Sequence, residues 1–151
     1  MVDIALGWSN DLWRGDWMLA EDGTLETGAD METAVLLSLF TDRTALPDDV
    51  IPDKGTIRGW WADSFRPYPL GSRLWLLWRE KQTETTRRRA AEYSRECLQW
   101  MIDCGAARAV NTEAAWIARG MLQVEIAIDP PAGERRLWKF VMAWSQIGVQ
   151  S

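Results

Sequence analysis

The 151-residue sequence predicts an α+β fold: a small N-terminal β hairpin with strands, three helices, and a C-terminal three-stranded antiparallel sheet packed on the long helix. Three observations predict it. Apolar residues recur at helical spacing between Thr83 and Cys104, they switch to strict alternation after Gly105, and turn-forming residues separate the segments on both sides. The expected order is β-β-β-α-α-α-β-β-β, within one domain over 1–151. Its parts are an N-terminal β region over 1–28, a helical and loop region over 29–105, and the sheet over 106–147.

Ile4, Leu6 and Trp8 alternate with small or polar neighbours, so a strand begins the chain and ends at the turn cluster Ser9-Asn10-Asp11. Residues 15–20 and 24–27 flank Glu21-Asp22-Gly23, whose Asp-Gly pair suits a tight hairpin. Asp30 stands at an N-cap position with Glu32 in the first turn, and Ala34, Leu36, Leu37 and Phe40 follow at helical spacing, which predicts a helix over 31–41. From Thr41 to Leu70 the pattern breaks. Pro47, Pro52, Pro67 and Pro69 remove backbone donors, leaving a long irregular connection that carries Trp60-Trp61 in its middle.

Gly71-Ser72 offers the next N-cap, ahead of a short second helix with Leu74, Trp75, Leu77 and Trp78 on its apolar face. The third helix, Thr83 to Cys104, is the longest, and Gly105 is placed to cap its C-terminus. Three strands then alternate: Val110, Thr112, Ala114 and Trp116; Leu122, Val124, Ile126 and Ile128; Trp138, Phe140, Met142 and Trp144. Asp129-Pro130-Pro131-Ala132-Gly133 is the hairpin loop between the last two.

Composition excludes several functions. There is no His, so Ser-His-Asp and Cys-His catalysis, His-containing zinc sites and His-ligated haem are ruled out. Seventeen basic against 22 acidic residues give a net charge of −5, the wrong sign for a general binder of nucleic acid. The first residues lack a basic n-region and a long apolar stretch, so neither a signal peptide nor a membrane span is expected and the chain should remain in a cytoplasm. Cys97 and Cys104, seven apart on a helix, lie roughly 10 Å from each other, beyond the reach of a disulfide. Two buried, reduced thiols are expected, with no cofactor and no metal.

Asp16, Asp63, Glu80 and Glu84 lie near aromatic residues in the sequence, but no spacing singles out a catalytic pair. Arg87-Arg88-Arg89, interleaved with Glu92, Arg95 and Glu96, reads as a solvated helix face with ion pairs; any partner it has would be an acidic protein surface. Of eleven Trp, six (Trp75, Trp78, Trp100, Trp116, Trp138 and Trp144) fall in apolar stripes and are expected in the core. Trp8, Trp13, Trp17, Trp60 and Trp61 fall in loops and strand ends, where aromatic residues anchor protein interfaces.

Several of these segments carry a resemblance. Asp3-Ile4-Ala5-Leu6, Gly15-Asp16-Trp17, Leu39-Phe40-Thr41-Asp42-Arg43, Arg58-Gly59-Trp60-Trp61-Ala62-Asp63, Gly71-Ser72-Arg73-Leu74-Trp75-Leu76-Leu77 and the final hairpin with its Asp-Pro loop resemble the gene-product-forty-six family of Mu-like phages. That family is similar to the small baseplate wedge subunit of T4-type contractile tails, the sheath initiator. The Glu-Pro-Arg triplet of the T4-type relatives has no counterpart here. The resemblance implies a non-enzymatic structural protein, present in multiple copies in the virion's tail baseplate and assembled in the host cytoplasm. Its partners would be other wedge proteins, hub and tube proteins and the tail sheath, without nucleic acid or membrane. The candidate partner interface comprises Trp13 and Trp17; Arg58, Gly59, Trp60, Trp61 and Asp63; Arg87 and Arg88; and Leu137, Lys139 and Val141 on the last strand, whose open edge could template a strand of the sheath. The alternative is a carboxylate-dependent lysozyme-like hydrolase or a Trp-rich glycan-binding module of the tail.

Overall fold

Alternating apolar residues at the C-terminal end form the sheet on which everything else is arranged. In the computed structural model, which describes residues 6–11, 14–19, 21–22, 30–52, 55–59, 61–65 and 67–144 (backbone alone at 14–15 and 61–62), it has three antiparallel strands. These are β3 (Ala109–Ala118), β4 (Met121–Asp129) and β5 (Arg136–Ala143), in the order β3-β4-β5. Leu122, Val124, Ile126 and Ile128 of the central strand are completely buried, and Val110, Ala114 and Phe140 join them on the same face. The expected alternation is therefore the observed one.

The helix α2 (Glu84–Glu96) lies over β3 and β4. Three hydrogen bonds fasten it: Thr112 Oγ1 to the Ala91 carbonyl at 2.7 Å, Arg87 Nη1 to the Ala114 carbonyl at 2.8 Å, and Trp116 Nε1 to the Thr83 carbonyl at 3.1 Å. Thr83 caps the helix, its hydroxyl accepting from the Thr86 N–H at 3.2 Å.

The helix expected from Thr83 to Cys104 does not run unbroken. It stops at Glu96, and a five-residue piece, α3 (Gln99–Asp103), follows. The buried Ser94 hydroxyl bonds back to the Ala90 carbonyl at 2.7 Å, an arrangement that bends helices, and the N–H groups of Leu98 and Met101 reach carbonyls three residues back. The tightening lets Leu98 (0% exposed) and Met101 (2%) both enter the core. It also turns Cys104 outward. Cys97 is buried and Cys104 exposed, so the expectation of two buried thiols holds for the first alone. Burial pushes the Cys97 thiol far above its usual range. A thiol-reactive dye at mild alkaline pH should accordingly modify one cysteine in the folded protein and the second on denaturation; two fast equivalents in the native state would contradict this burial.

The second expected helix is also corrected. Leu74–Leu77 forms a single 3-10 turn, not an α-helix, and all four of its side chains are buried. With no exposed side there is no amphipathic face to propagate, and the chain leaves at Trp78, which is 36% exposed instead of buried. Ser72 does little capping. Its hydroxyl donates to the Leu39 carbonyl at 2.6 Å. Two full α-helices therefore stand where three were expected. The other, α1 (Asp30–Phe40), starts one residue early and buries Val35, Leu36 and Leu39, leaving Leu37 43% exposed.

At the N-terminus, β1 (Leu6–Ser9) pairs antiparallel with β2 (Arg14–Trp17), Leu6 opposite Trp17 and Ser9 opposite Arg14. The described hairpin thus turns at Asn10-Asp11, a cluster expected to be a loop; the hairpin expected around Glu21-Asp22-Gly23 falls largely outside the described residues. Ile4 and the proposed strand over 24–27 lie outside the described residues.

One hydrophobic cluster joins α1, the 74–77 turn, α2, α3 and the sheet. Trp8 stacks on Phe40 with ring centroids 4.1 Å apart, and both meet the edge of Phe140 at 6.1 and 5.9 Å. Four other indoles act as pegs between distant segments: Trp75 to the Arg43 carbonyl (2.8 Å), Trp100 to the Ser38 hydroxyl (3.0 Å), Trp116 to Thr83, and Trp144 to the Glu80 carbonyl (3.2 Å). A large apolar body with one donor at its tip suits this use. It explains much of the Trp excess without any ligand.

Candidate interaction surfaces

The irregular segment after α1 is tied down by backbone pairing and ions. Arg43 N–H reaches the Ser72 carbonyl at 3.0 Å and Ser72 N–H the Thr41 carbonyl at 2.8 Å, a parallel bridge, while Ala45 N–H reaches the Ile57 carbonyl at 2.9 Å. Arg73 then joins the loop to α2, bonding Asp49 at 2.8 and 3.0 Å and Glu96 at 3.0 Å, with its guanidinium 4.3 Å from the Tyr93 ring centre. Glu96 also pairs with Arg43 at 3.5 Å. So this carboxylate, read from sequence as part of a helix-surface ion-pair row, faces inward to a different element.

Arg58 and Gly59 follow each other in left-handed conformation, φ 54° and 106°. For Arg58 that backbone is uncommon, and its side chain is correspondingly well held. The guanidinium binds Asp42 at 2.5 Å and lies 4.5 Å from the Trp75 ring centre and 5.2 Å from that of Trp78. A cleft of about 370 Å³ opens beside it, between Pro52, Thr56, Trp78 and Arg79. Gly59 is required where it is: a Cβ there would sit 1.8 Å from the Thr44 hydroxyl. Asp42, Trp75 and Trp78 were not singled out as site residues from sequence; the two Trp sit in what reads as an apolar stripe, and nothing local to Asp42 reveals that Arg58 folds back on it.

The remaining sequence-predicted residues are dispersed. Trp13 and Trp60 lie outside the described residues, as does the Trp61 side chain. Asp63, in the 3-10 turn Trp61–Phe65, accepts the Leu70 N–H at 2.9 Å, so it stitches its own loop. Trp17 is 57% exposed on β2 and is flanked in sequence by exposed Met18 and Leu19. Arg88 is exposed on α2, whereas Arg87 is committed to Glu84 and to the Ala114 carbonyl. The Arg87 guanidinium holds the Glu84 carboxyl below its usual range. Among the four carboxylates considered from sequence, Asp16 accepts the Trp17 N–H, Asp63 the Leu70 N–H, Glu84 is ion-paired and Glu80 is exposed. They stand on separate elements, and none lines the cleft beside Arg58.

Leu137, Lys139 and Val141 are brought together on β5. Among the described residues β5 pairs with β4 alone, so its other side is a sheet edge. The Val141 N–H points out of the sheet and is taken by Asn10 Oδ1 at 3.1 Å, so the turn of the β1–β2 hairpin covers that end of the edge. By the alternation of an antiparallel ladder, the backbone groups of Leu137 and Lys139 point the same way. Leu137 is 52% exposed, and Lys139 reaches across to Glu125 at 3.3 Å. Asn10 was read from sequence as a turn residue alone; its bond over 131 positions carries no local signal.

Among the described residues this is an α+β protein with an unpaired sheet edge and a cleft beside a left-handed arginine. The chain belongs to the family described as phage protein GP46, whose model matches residues 31–135. It is 42% identical over 149 residues to the baseplate protein gp46 of Escherichia phage Mu, covering 97% of this chain and all of that relative. It is also 33% identical over 146 residues to the Mu-like prophage FluMu protein gp46 of Haemophilus influenzae, covering 96% and 99% of the two chains. The family resemblance drawn from the Trp-containing motifs is thus confirmed over nearly the whole sequence.

Proposed function

We propose that this protein is a non-catalytic structural subunit of a contractile phage, or phage-like, tail baseplate, joining wedge subunits around the hub and starting sheath assembly. The baseplate role rests on the relative from phage Mu, which is named for it. The observation that carries the finer reading is the open part of the β5 edge at Leu137 and Lys139. An extended segment of a sheath subunit could add there as a fourth strand, main-chain hydrogen bonds supplying affinity. Asn10 limits the addition to one half of the strand, a way of keeping an edge from pairing indiscriminately. The cleft at Arg58, with Trp78 at its mouth, is the second contact, facing a wedge partner. The working location is the tail of the virion, after assembly in the host cytoplasm.

The test is co-assembly of the purified chain with its cognate sheath and wedge proteins. Lys139→Pro should abolish sheath capture while leaving a cooperative unfolding transition, because the lost N–H serves no bond to β4 and the ring blocks a new strand. Lys139→Ala should retain capture to within a few-fold, since an exposed ion pair contributes roughly 0–1 kcal/mol. Failure of the wild-type chain to enter any complex would reject the assignment, and capture by a folded Pro variant would reject the edge.

A further inference from the structure

The two faces of the C-terminal sheet are treated unequally. One is covered by the helices; on the other, Asn111, Glu113, Ala115, Leu137 and Lys139 are exposed. The register sets its side chains in rows across the strands. Ala115, Gln123 and Val141 form one, Glu113, Glu125 and Lys139 the next, and Asn111, Ala127 and Leu137 the third. Ala127 is small where a sheet surface commonly carries a branched or aromatic residue, and a trough of about 520 Å³ lies over it, walled by Asn111 and Leu137 and reaching Glu113 and Glu125.

The charge row is the unusual part. Glu113 stands directly opposite Glu125, at the spacing where like charges oppose pairing. Lys139 answers Glu125 from the far side at 3.3 Å, and Arg135 at the trough's end is bonded to Asp129 at 2.6 and 3.0 Å. Glu113 has no ion pair among the described residues; Arg87, whose charge it supports, is already bonded to Glu84 and to the Ala114 carbonyl. Among the described residues, two adjacent carboxylates thus stand one cation short at the side of an apolar-floored trough.

We propose that this face docks a neighbouring protein subunit through one lysine or arginine side chain, its charged head between Glu113 and Glu125 and its methylene stem along Ala127 and Leu137. The inference rests on the assembly role proposed above, and it names the chemistry of a partner on the face of the sheet instead of its edge. A long basic side chain matches both halves of the trough, an apolar stem over Ala127 and Leu137 and a charge for the unbalanced row. Like-charge juxtaposition within the free chain also makes the face poor at receiving acidic surfaces, which adds selectivity.

The test separates stability from docking. Glu113→Gln should raise the melting temperature of the free chain by about 1–3 °C, because it relieves the cross-strand repulsion. The Glu113→Gln/Glu125→Gln double variant should lose about tenfold or more in co-assembly with the cognate tail proteins, and the wild type should lose affinity with added salt where the variant does not. Undiminished assembly of a folded double variant would overturn the proposal. If the wild type fails to assemble at all, the assembly reading falls on that result, and the face is then decided by N-acetyl-arginine amide titrated against labelled protein. Saturable amide shifts at residues 111–127 that vanish in the double variant support the trough; no shifts overturn it. Self-association of the wild type that the double variant abolishes would also overturn it, assigning the face to a second copy of the chain.

Discussion

Replacing Gly71 with alanine is expected to destabilise the protein by about 3–5 kcal/mol, the sum of left-handed backbone strain and overpacking. Gly71 has φ 101°, and a Cβ there would lie 2.3 Å from the Thr41 carbonyl oxygen, 2.8 Å from its carbon and 3.0 Å from the Arg43 nitrogen. None of these is the flexible end of a side chain. The same carbonyl and nitrogen are bonded to Ser72 at 2.8 and 3.0 Å, so making room for the methyl group means breaking the bridge between the loop and the 74–77 turn. The damage should spread to the Trp75 indole, which donates to the Arg43 carbonyl, and to the cleft at Arg58. Urea unfolding followed by Trp fluorescence gives the magnitude. Hydrogen exchange at the Arg43 and Ser72 amides gives the location. A change under about 1 kcal/mol, with both amides still protected, would show that the backbone accommodates a side chain here and that the close approach is not a constraint.

Phe140→Ala should cost a similar amount, about 3–5 kcal/mol, the usual range for removing a buried aromatic ring. Phe140 is 2% exposed and meets both Trp8 and Phe40 edge-on, so it is the ring on which β1, α1 and β5 converge. The cavity cannot close easily, because the stacked Trp8–Phe40 pair belongs to two different elements. Losing the ring should also loosen the hairpin from β5, seen as faster exchange of the Val141 amide now held by Asn10. Phe140→Leu, which keeps most of the volume, should lose markedly less. Equal losses for the two variants would mean that ring geometry, and not filled volume, stabilises this junction.

Local periodicity carried much of the fold. β3, β4 and β5, the Asp-Pro loop and the start of α2 follow from alternation, spacing and a Thr cap, which are properties of neighbouring residues. Hairpin pairing at the N-terminus was less legible. Both Asn10-Asp11 and Asp22-Gly23 have turn chemistry, and the described pairing uses the first. The break after Glu96 was hidden because Cys97, Leu98 and Met101 keep a helical apolar pattern while the backbone tightens under them. The Leu74–Leu77 segment looked amphipathic, yet the folded chain surrounds it on every side.

For the candidate surfaces the division is similar. The Arg58-to-Asp63 motif was visible and led to the right family, but only folding joined Arg58 to Asp42, Trp75 and Trp78. Of the residues put forward on β5, sequence could place Leu137, Lys139 and Val141 on one side of a strand; their meeting with Glu125, and Val141's with Asn10, depends on strand register.

By itself the sequence determined the α+β class, the apolar face of the sheet, the absence of histidine chemistry and the family to which the chain belongs. The tertiary structure alone decided that the first strand pairs with Arg14–Trp17, where the long helix breaks, which Trp are pegs and which carboxylates stand opposite each other. The physical reason is range. Periodicity and capping act over a few residues and can be read along the chain, whereas register, burial and ion pairing are settled between segments tens of residues apart that compete for the same core.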